Sequence, residues 1–153
     1  MNPNLQGKKL KQINLYSDGS SLGNPGPGGW GTLLKYKGHI KELSGGEILT
    51  TNNQMELKGV IEGLKELKEP CAVHITSDSK YVVQAINEWL ENWQKNGFKT
   101  AAKKPVKNYE LWQEYLSVSK KHNITASWVK GHAGHEENER CDILARTEAE
   151  KLK

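Results

Sequence analysis

The chain has 153 residues, enough for one domain whose core needs no disulfide staple. Its net charge of +4 points weakly to an anionic partner such as nucleic acid, and by charge alone a merely soluble basic domain fits as well. No apolar run approaches membrane-spanning length, the first ten residues are too polar for a signal peptide, and Cys71 and Cys141 form no CxxC pair, so the expectation is a cytoplasmic protein with reduced thiols.

Residues 1–10 read as a polar N-terminal extension and residues 11–153 as a single domain. From Gln12 to Ser17, Ile13 and Leu15 alternate with polar side chains, which predicts a strand. Asp18 to Gly29 is rich in Gly and Pro and reads as a loop whose backbone can approach a ligand. Trp30 to Tyr36 and His39 to Ile48 predict two further strands turned at Lys37-Gly38. Thr50 to Asn53 offers N-cap residues for a helix in which Met55, Val60, Ile61, Leu64 and Leu67 recur at helical spacing, with Pro70 beyond its end. Ala72 to Thr76 predicts a strand and Tyr81 to Leu90 a helix. Asn92 to Asn108 is polar and basic. Tyr109 to Lys120 predicts a helix, Ile124 to Val129 a last strand, Gly131 to His135 a loop, and Glu136 to Leu152 a closing helix. This order predicts an α/β fold in which an antiparallel meander joins parallel strands through helical crossovers, with no repeat, linker or second domain.

Of the eighteen acidic residues only Asp18, Asp78 and Asp142 are Asp. Asp18 ends the first predicted strand and Asp78 the fourth, while Asp142 sits inside a helix, where Asp forms helix less readily than Glu. Glu56 lies one turn inside its helix. If strands one and four are neighbours, Asp18 and Asp78 emerge side by side at a strand-end position typical of ligand sites. Converging carboxylates repel unless a cation neutralises them, and hard oxygen donors suit Mg²⁺ or Mn²⁺. Taken singly, the strand-end acids serve equally well as turn caps and the helical ones as solvated positions. His132, His135 and Cys141 offer three zinc-type ligands, but a fourth is not evident.

Four segments in order resemble bacterial type 1 ribonuclease H, also called ribonuclease HI: Tyr16-Ser-Asp-Gly-Ser-Ser-Leu-Gly-Asn-Pro-Gly-Pro-Gly-Gly-Trp-Gly, Thr50-Thr-Asn-Asn-Gln-Met-Glu-Leu, Ile75-Thr-Ser-Asp-Ser-Lys-Tyr-Val, and Trp128-Val-Lys-Gly-His-Ala-Gly-His-Glu-Glu-Asn-Glu-Arg-Cys-Asp. The resemblance runs from about Lys11 to Leu152. It implies a ribonuclease H-like five-stranded mixed sheet, an antiparallel meander of strands 1–3 followed by parallel strands 4 and 5, flanked by helices. It implies an endonuclease that hydrolyses the RNA strand of RNA–DNA hybrids and leaves 5′-phosphate and 3′-hydroxyl ends. Asp18, Glu56, Asp78 and Asp142 would be the catalytic and metal-binding set, holding two Mg²⁺ ions with substrate and accepting Mn²⁺ instead. His132 would serve in proton transfer or product release.

The resemblance also places Gly23, Asn24, Asn52 and Glu56 along the RNA strand, and Thr51 and Asn108 near a DNA phosphate. Asn53, beside Asn52, offers a second amide to the RNA strand, and both Asn residues also suit a helix cap. Lys95, Lys99, Lys103, Lys104 and Lys107 lie in a stretch without acids, flanked by Trp89, Trp93, Phe98 and Trp112. That stretch resembles the basic protrusion of bacterial relatives, in which Lys99, Lys103, Lys104 and Lys107 would bind DNA phosphates and Trp89 or Trp93 a sugar. Three positions depart from the pattern: Lys80 stands where many relatives carry Gln, and Leu49 and Gln54 where many carry Arg. Two other readings remain: a catalytically silent hybrid-binding module and another nuclease of the same fold. A monomer without an obligate protein partner is expected, with no membrane association.

Overall fold

The computed structural model describes residues 9–131 and 135–153. Five strands, β1 (Lys11–Ser21), β2 (Gly26–Tyr36), β3 (His39–Thr50), β4 (Cys71–Ser77) and β5 (Asn123–Trp128), form one sheet in the order β3-β2-β1-β4-β5. The β1–β2 and β2–β3 pairs are antiparallel, and β1–β4 and β4–β5 are parallel. The expected mixed sheet is therefore the observed one.

Each strand's side-chain alternation decides its two faces. Ile13, Leu15, Val73 and Ile75 meet Leu57, Val60, Ile61 and Leu64 of α1 (Asn52–Lys65) in one core. Trp112 and Tyr115 of α4 (Tyr109–Ser119) close that core from outside. α5 (Glu136–Lys151) covers β1 and β2 on the other face.

The Gly-rich segment differs from the loop expected of it. β1 runs on to Ser21 and β2 begins at Gly26, so Asp18 lies within a strand, opposite Gly31. Glycine here serves close packing. A Cβ on Gly29 would stand 2.3 Å from the Ala145 carbonyl oxygen, and one on Gly31 2.4 Å from that of Cys141. α5 thus lies directly on the backbone of β2, a spacing no larger residue permits.

The helix after β4 is longer than expected and is broken in character. α2 (Lys80–Gln84) passes through a π-helical turn (Ala85–Trp89) into α3 (Leu90–Lys95). Such a turn adds one residue to a helical circuit. Here it lies beside a ring stack: Tyr81–Trp89 at 6.4 Å, Trp89–Trp93 at 5.9 Å and Trp93–Trp112 at 5.7 Å between centroids.

Candidate active site

Parallel pairing of Ser17 with Ser77 sets the next residues, Asp18 and Asp78, side by side. α1 brings the third acid. Thr51 caps it in a reciprocal box, accepting from the Gln54 amide while the Gln54 side chain accepts from the Thr51 amide. This fixes the entry of α1, and Glu56 is then turned onto the sheet, buried. Ligand oxygens of Asp18, Glu56 and Asp78 all lie within 4.8 Å of one another.

Burial raises the Asp18 carboxyl to about 7, the charge of Asp78 adding to the effect while the hydrogen bond with Glu56 opposes it. Burial, and then the charge of Asp18, hold Glu56 well above the ordinary carboxylate range. One oxygen of Glu56, Oε2, is buried without a hydrogen-bond partner among the described residues. Three crowded oxygen donors, two with suppressed ionisation and one with an orphaned atom, fit a hard divalent cation, whose charge would remove the repulsion that raises them.

Asp142 stands apart from this tight trio. It shares a small cavity with Asp18, Asp78, Lys130, His135, Asn138 and Glu139, and its charge adds to the upward push on Asp18. Its Oδ2 accepts from Arg146 Nε at 2.9 Å, one helical turn away. His132 lies outside the described residues. The zinc alternative gains no support, since Cys141 is fully buried and burial pushes its thiol far up.

Other expected site residues are tied to the start of α1. The Asn52 amide donates to Asn24 Oδ1 at 3.0 Å, joining the Gly23–Asn24 turn to the start of α1, and Asn52 and Asn53 are exposed. Asn108 accepts from Gln54 Nε2 at 3.3 Å and donates to the Tyr81 hydroxyl at 3.0 Å, which also accepts from Trp112 Nε1 at 2.9 Å. Thr51 and Asn108 are thus held on one network, with Gln54 as the link. Composition alone did not single out Tyr81 or this use of Gln54. The signal was a Tyr hydroxyl on a mostly apolar helix, which when buried needs a polar partner. Leu49 is exposed at the end of edge strand β3.

Buried Phe98 and Val106 pin the basic segment, and the Val106 amide donates to the Phe98 carbonyl at 2.9 Å. Between and beside them Lys99, Lys103, Lys104 and Lys107 are exposed. Trp89 is 37% exposed, whereas Trp93 is half-buried against Trp112. Of the two, Trp89 is the one open to a ligand. Lys80 reaches over the Trp128 ring, 4.9 Å from its centroid, and Trp128 Nε1 donates to the Asp78 carbonyl at 2.9 Å.

The RNase H family profile matches residues 10–150. A ribonuclease H of Sulfurovum sp. (strain NBC37-1) is 61% identical over 149 residues, covering 97% of this chain and 98% of that protein. A ribonuclease H of Campylobacter concisus (strain 13826) is 62% identical over 144 residues, covering 94% and 96%. Among solved structures, LC9-RNase H1, a type 1 RNase H with the type 2 active-site motif, superposes with a TM-score of 0.84 at 34% identity, covering 95% of this chain and 75% of that one. A carboxylate trio beside the central strands of this sheet, in a chain with these relatives, defines an endonuclease of the hydrolase class. The chain belongs to the RNase H family.

Proposed function

We propose that the chain hydrolyses the RNA strand of RNA–DNA hybrids by two-metal catalysis, leaving 5′-phosphate and 3′-hydroxyl ends. The observation that carries this reading is the buried, mutually close set of Asp18, Glu56 and Asp78. With Asp142 across the shared cavity, these acids would hold two Mg²⁺ ions, or Mn²⁺ in their place. Bound divalent ions supply charge stabilisation at the phosphodiester and lower the pKa of an attacking water.

The chain's own groups do the rest. Arg146 orients the Asp142 carboxylate, and Trp128 steadies the backbone at Asp78. Gly23, Asn24, Asn52 and Asn53 meet the RNA strand, where contact with 2′-hydroxyls separates RNA from DNA. Thr51 and Asn108 take a DNA phosphate. Trp89, Lys99, Lys103, Lys104 and Lys107 grip the DNA strand further out, with Trp93 supporting Trp89 from behind. His132 moves a proton at the leaving oxygen or assists product release. The enzyme works as a cytoplasmic monomer.

The test is incubation of a labelled RNA–DNA hybrid, duplex DNA and duplex RNA with the parent and Asp78→Asn, with Mg²⁺ or EDTA. Cleavage of hybrid RNA alone, dependent on Mg²⁺ and lost in the variant, is expected. Hybrid binding without cleavage would leave a silent binding module, and cleavage of duplex DNA would indicate another nuclease of this fold.

A further inference from the structure

Lys130, His135, Asn138 and Glu139 line the acidic cavity without a part in the scheme above, and of these four only Asn138 is buried. Asn138 lies one helical turn before Asp142 on α5 and lines the cavity with Asp18, Asp78 and Asp142. It is 9% exposed. Its Nδ2 donates to the Thr76 carbonyl at 3.4 Å, two residues before Asp78 on β4. Its Oδ1 is buried and accepts from nothing among the described residues.

An unmet buried acceptor costs about 1–3 kcal/mol. The alternatives at this position explain why a carboxamide is tolerated. A Leu would close the cavity to polar ligands. An Asp would add another charge beside carboxylates that already suppress one another's ionisation. Asn offers an oxygen acceptor without a charge, held in place by its own tie to β4. Ions such as Mg²⁺ keep several waters when bound by few carboxylates, and the hydrogen bonds to their ligands tune affinity.

We propose that Asn138 is a positioning residue for the metal site: Nδ2 ties α5 to β4, and Oδ1 accepts a hydrogen bond from the hydration shell of the cation held by Asp18, Asp78 and Asp142. This rests on the metal-site reading above. The pair Asn138 and Asp142, one turn apart on α5, then works as a unit, one residue supplying charge and the other an uncharged acceptor.

The test needs no substrate. Mn²⁺ and Mg²⁺ are titrated calorimetrically into the parent, Asn138→Ala, Asn138→Asp and Asp78→Asn, with thermal unfolding in EDTA as the check on folding. Asn138→Ala is expected to weaken metal binding about tenfold, to keep KM for hybrid at saturating metal, and to unfold near the parent temperature. Asn138→Asp, which retains the acceptor, is expected to bind metal at least as well as the parent. Parental metal affinity in Asn138→Ala overturns the proposal. So does an equal loss in both Asn138 variants, since that assigns the effect to the Thr76 tie alone. If Asn138→Ala does not fold, Asn138→Ser, whose hydroxyl is too short to replace the amide oxygen, gives the same readout. Parental affinity in Asp78→Asn instead sinks the metal site itself, a result distinct from failure at Asn138.

Discussion

The carboxyl groups of Asp18, from β1, and Glu56, from α1, bring ligand oxygens within 4.8 Å of each other. Two carboxyl groups this close resist ionising together. Both are buried, Asp78 adds a third charge close by, and the ordinary aspartate range near 4 is displaced to about 7 at Asp18. The site is therefore built at a cost that a bound cation would offset.

That cost has a sign that can be checked. Without metal, the folded protein holds a proton at Asp18 up to about pH 7, while the unfolded chain releases it near 4. Between these values the folded state binds more protons, so stability falls as pH rises. At pH 8 in EDTA, Asp18→Asn is expected to stabilise the fold by about 1–3 kcal/mol. Added Mg²⁺ should raise the Tm of the parent more than that of the variant. Thermal unfolding of both proteins from pH 5 to pH 8 measures this. A variant no more stable than the parent at pH 8 counts against the strained pair.

A second prediction concerns Gly131, which follows β5 and passes over Asp78. A Cβ on Gly131 would stand 2.9 Å from Asp78 Oδ2. Gly131→Ala must therefore shift the carboxylate or the loop by a few tenths of an ångström. Because small displacements of reacting groups are costly, kcat is expected to fall by about 10- to 100-fold with little change in Tm. Steady-state kinetics beside thermal unfolding tests it. Unchanged kcat would mean that the loop moves aside freely.

Local signatures placed the acids at strand ends and behind a cap, but only the family resemblance joined Asp18, Glu56, Asp78 and Asp142 in one set. Asp78 after an apolar run and Glu56 behind Thr51 could be placed without knowing the fold. Asp18 was found for a partly mistaken reason, since it lies inside β1 and not at its end. Glycine at Gly29 and Gly31 looks like loop chemistry, and only the approach of α5 shows that it serves packing within a strand. The Gln54–Asn108–Tyr81 network joins three elements distant in sequence, so no spacing rule reveals it. The same holds for Asn138, whose side-chain partner among the described residues, Thr76, lies sixty-two residues away. The separation of Asp142 from the trio likewise depends on how α5 docks, whereas its pairing with Arg146, four residues on in the same helix, follows from helical spacing.

His132 gives a third prediction, from the role that the family resemblance implies for it. His132→Ala is expected to slow turnover by about 10²–10⁴-fold, the usual worth of acid–base help, while the acids keep a residual rate. The pH–rate profile of the variant should lose a limb near neutrality. Loss as complete as in Asp78→Asn, or no loss, would remove His132 from proton transfer.

The last prediction concerns the lysines held out by Phe98 and Val106. Lys99, Lys103, Lys104 and Lys107 are exposed on a segment whose two ends are anchored in the core, so their removal should leave the fold intact. None of the four makes an ion pair among the described residues, so no internal charge is stranded when they are changed together to Ala. If they touch phosphates, they bind ground and transition states alike, and KM for hybrid should rise more than kcat falls. Each lost phosphate contact should lower the salt slope of binding by about 1. Sequence preference should hardly move, because phosphates carry no base information. Trp89→Ala, at the exposed end of the ring stack, should weaken hybrid binding by about 1–3 kcal/mol if it stacks on a nucleotide. Binding isotherms over a range of salt separate these outcomes. A fourfold lysine variant with parental affinity and salt slope would make the segment a solvated loop and leave the DNA strand to Thr51 and Asn108.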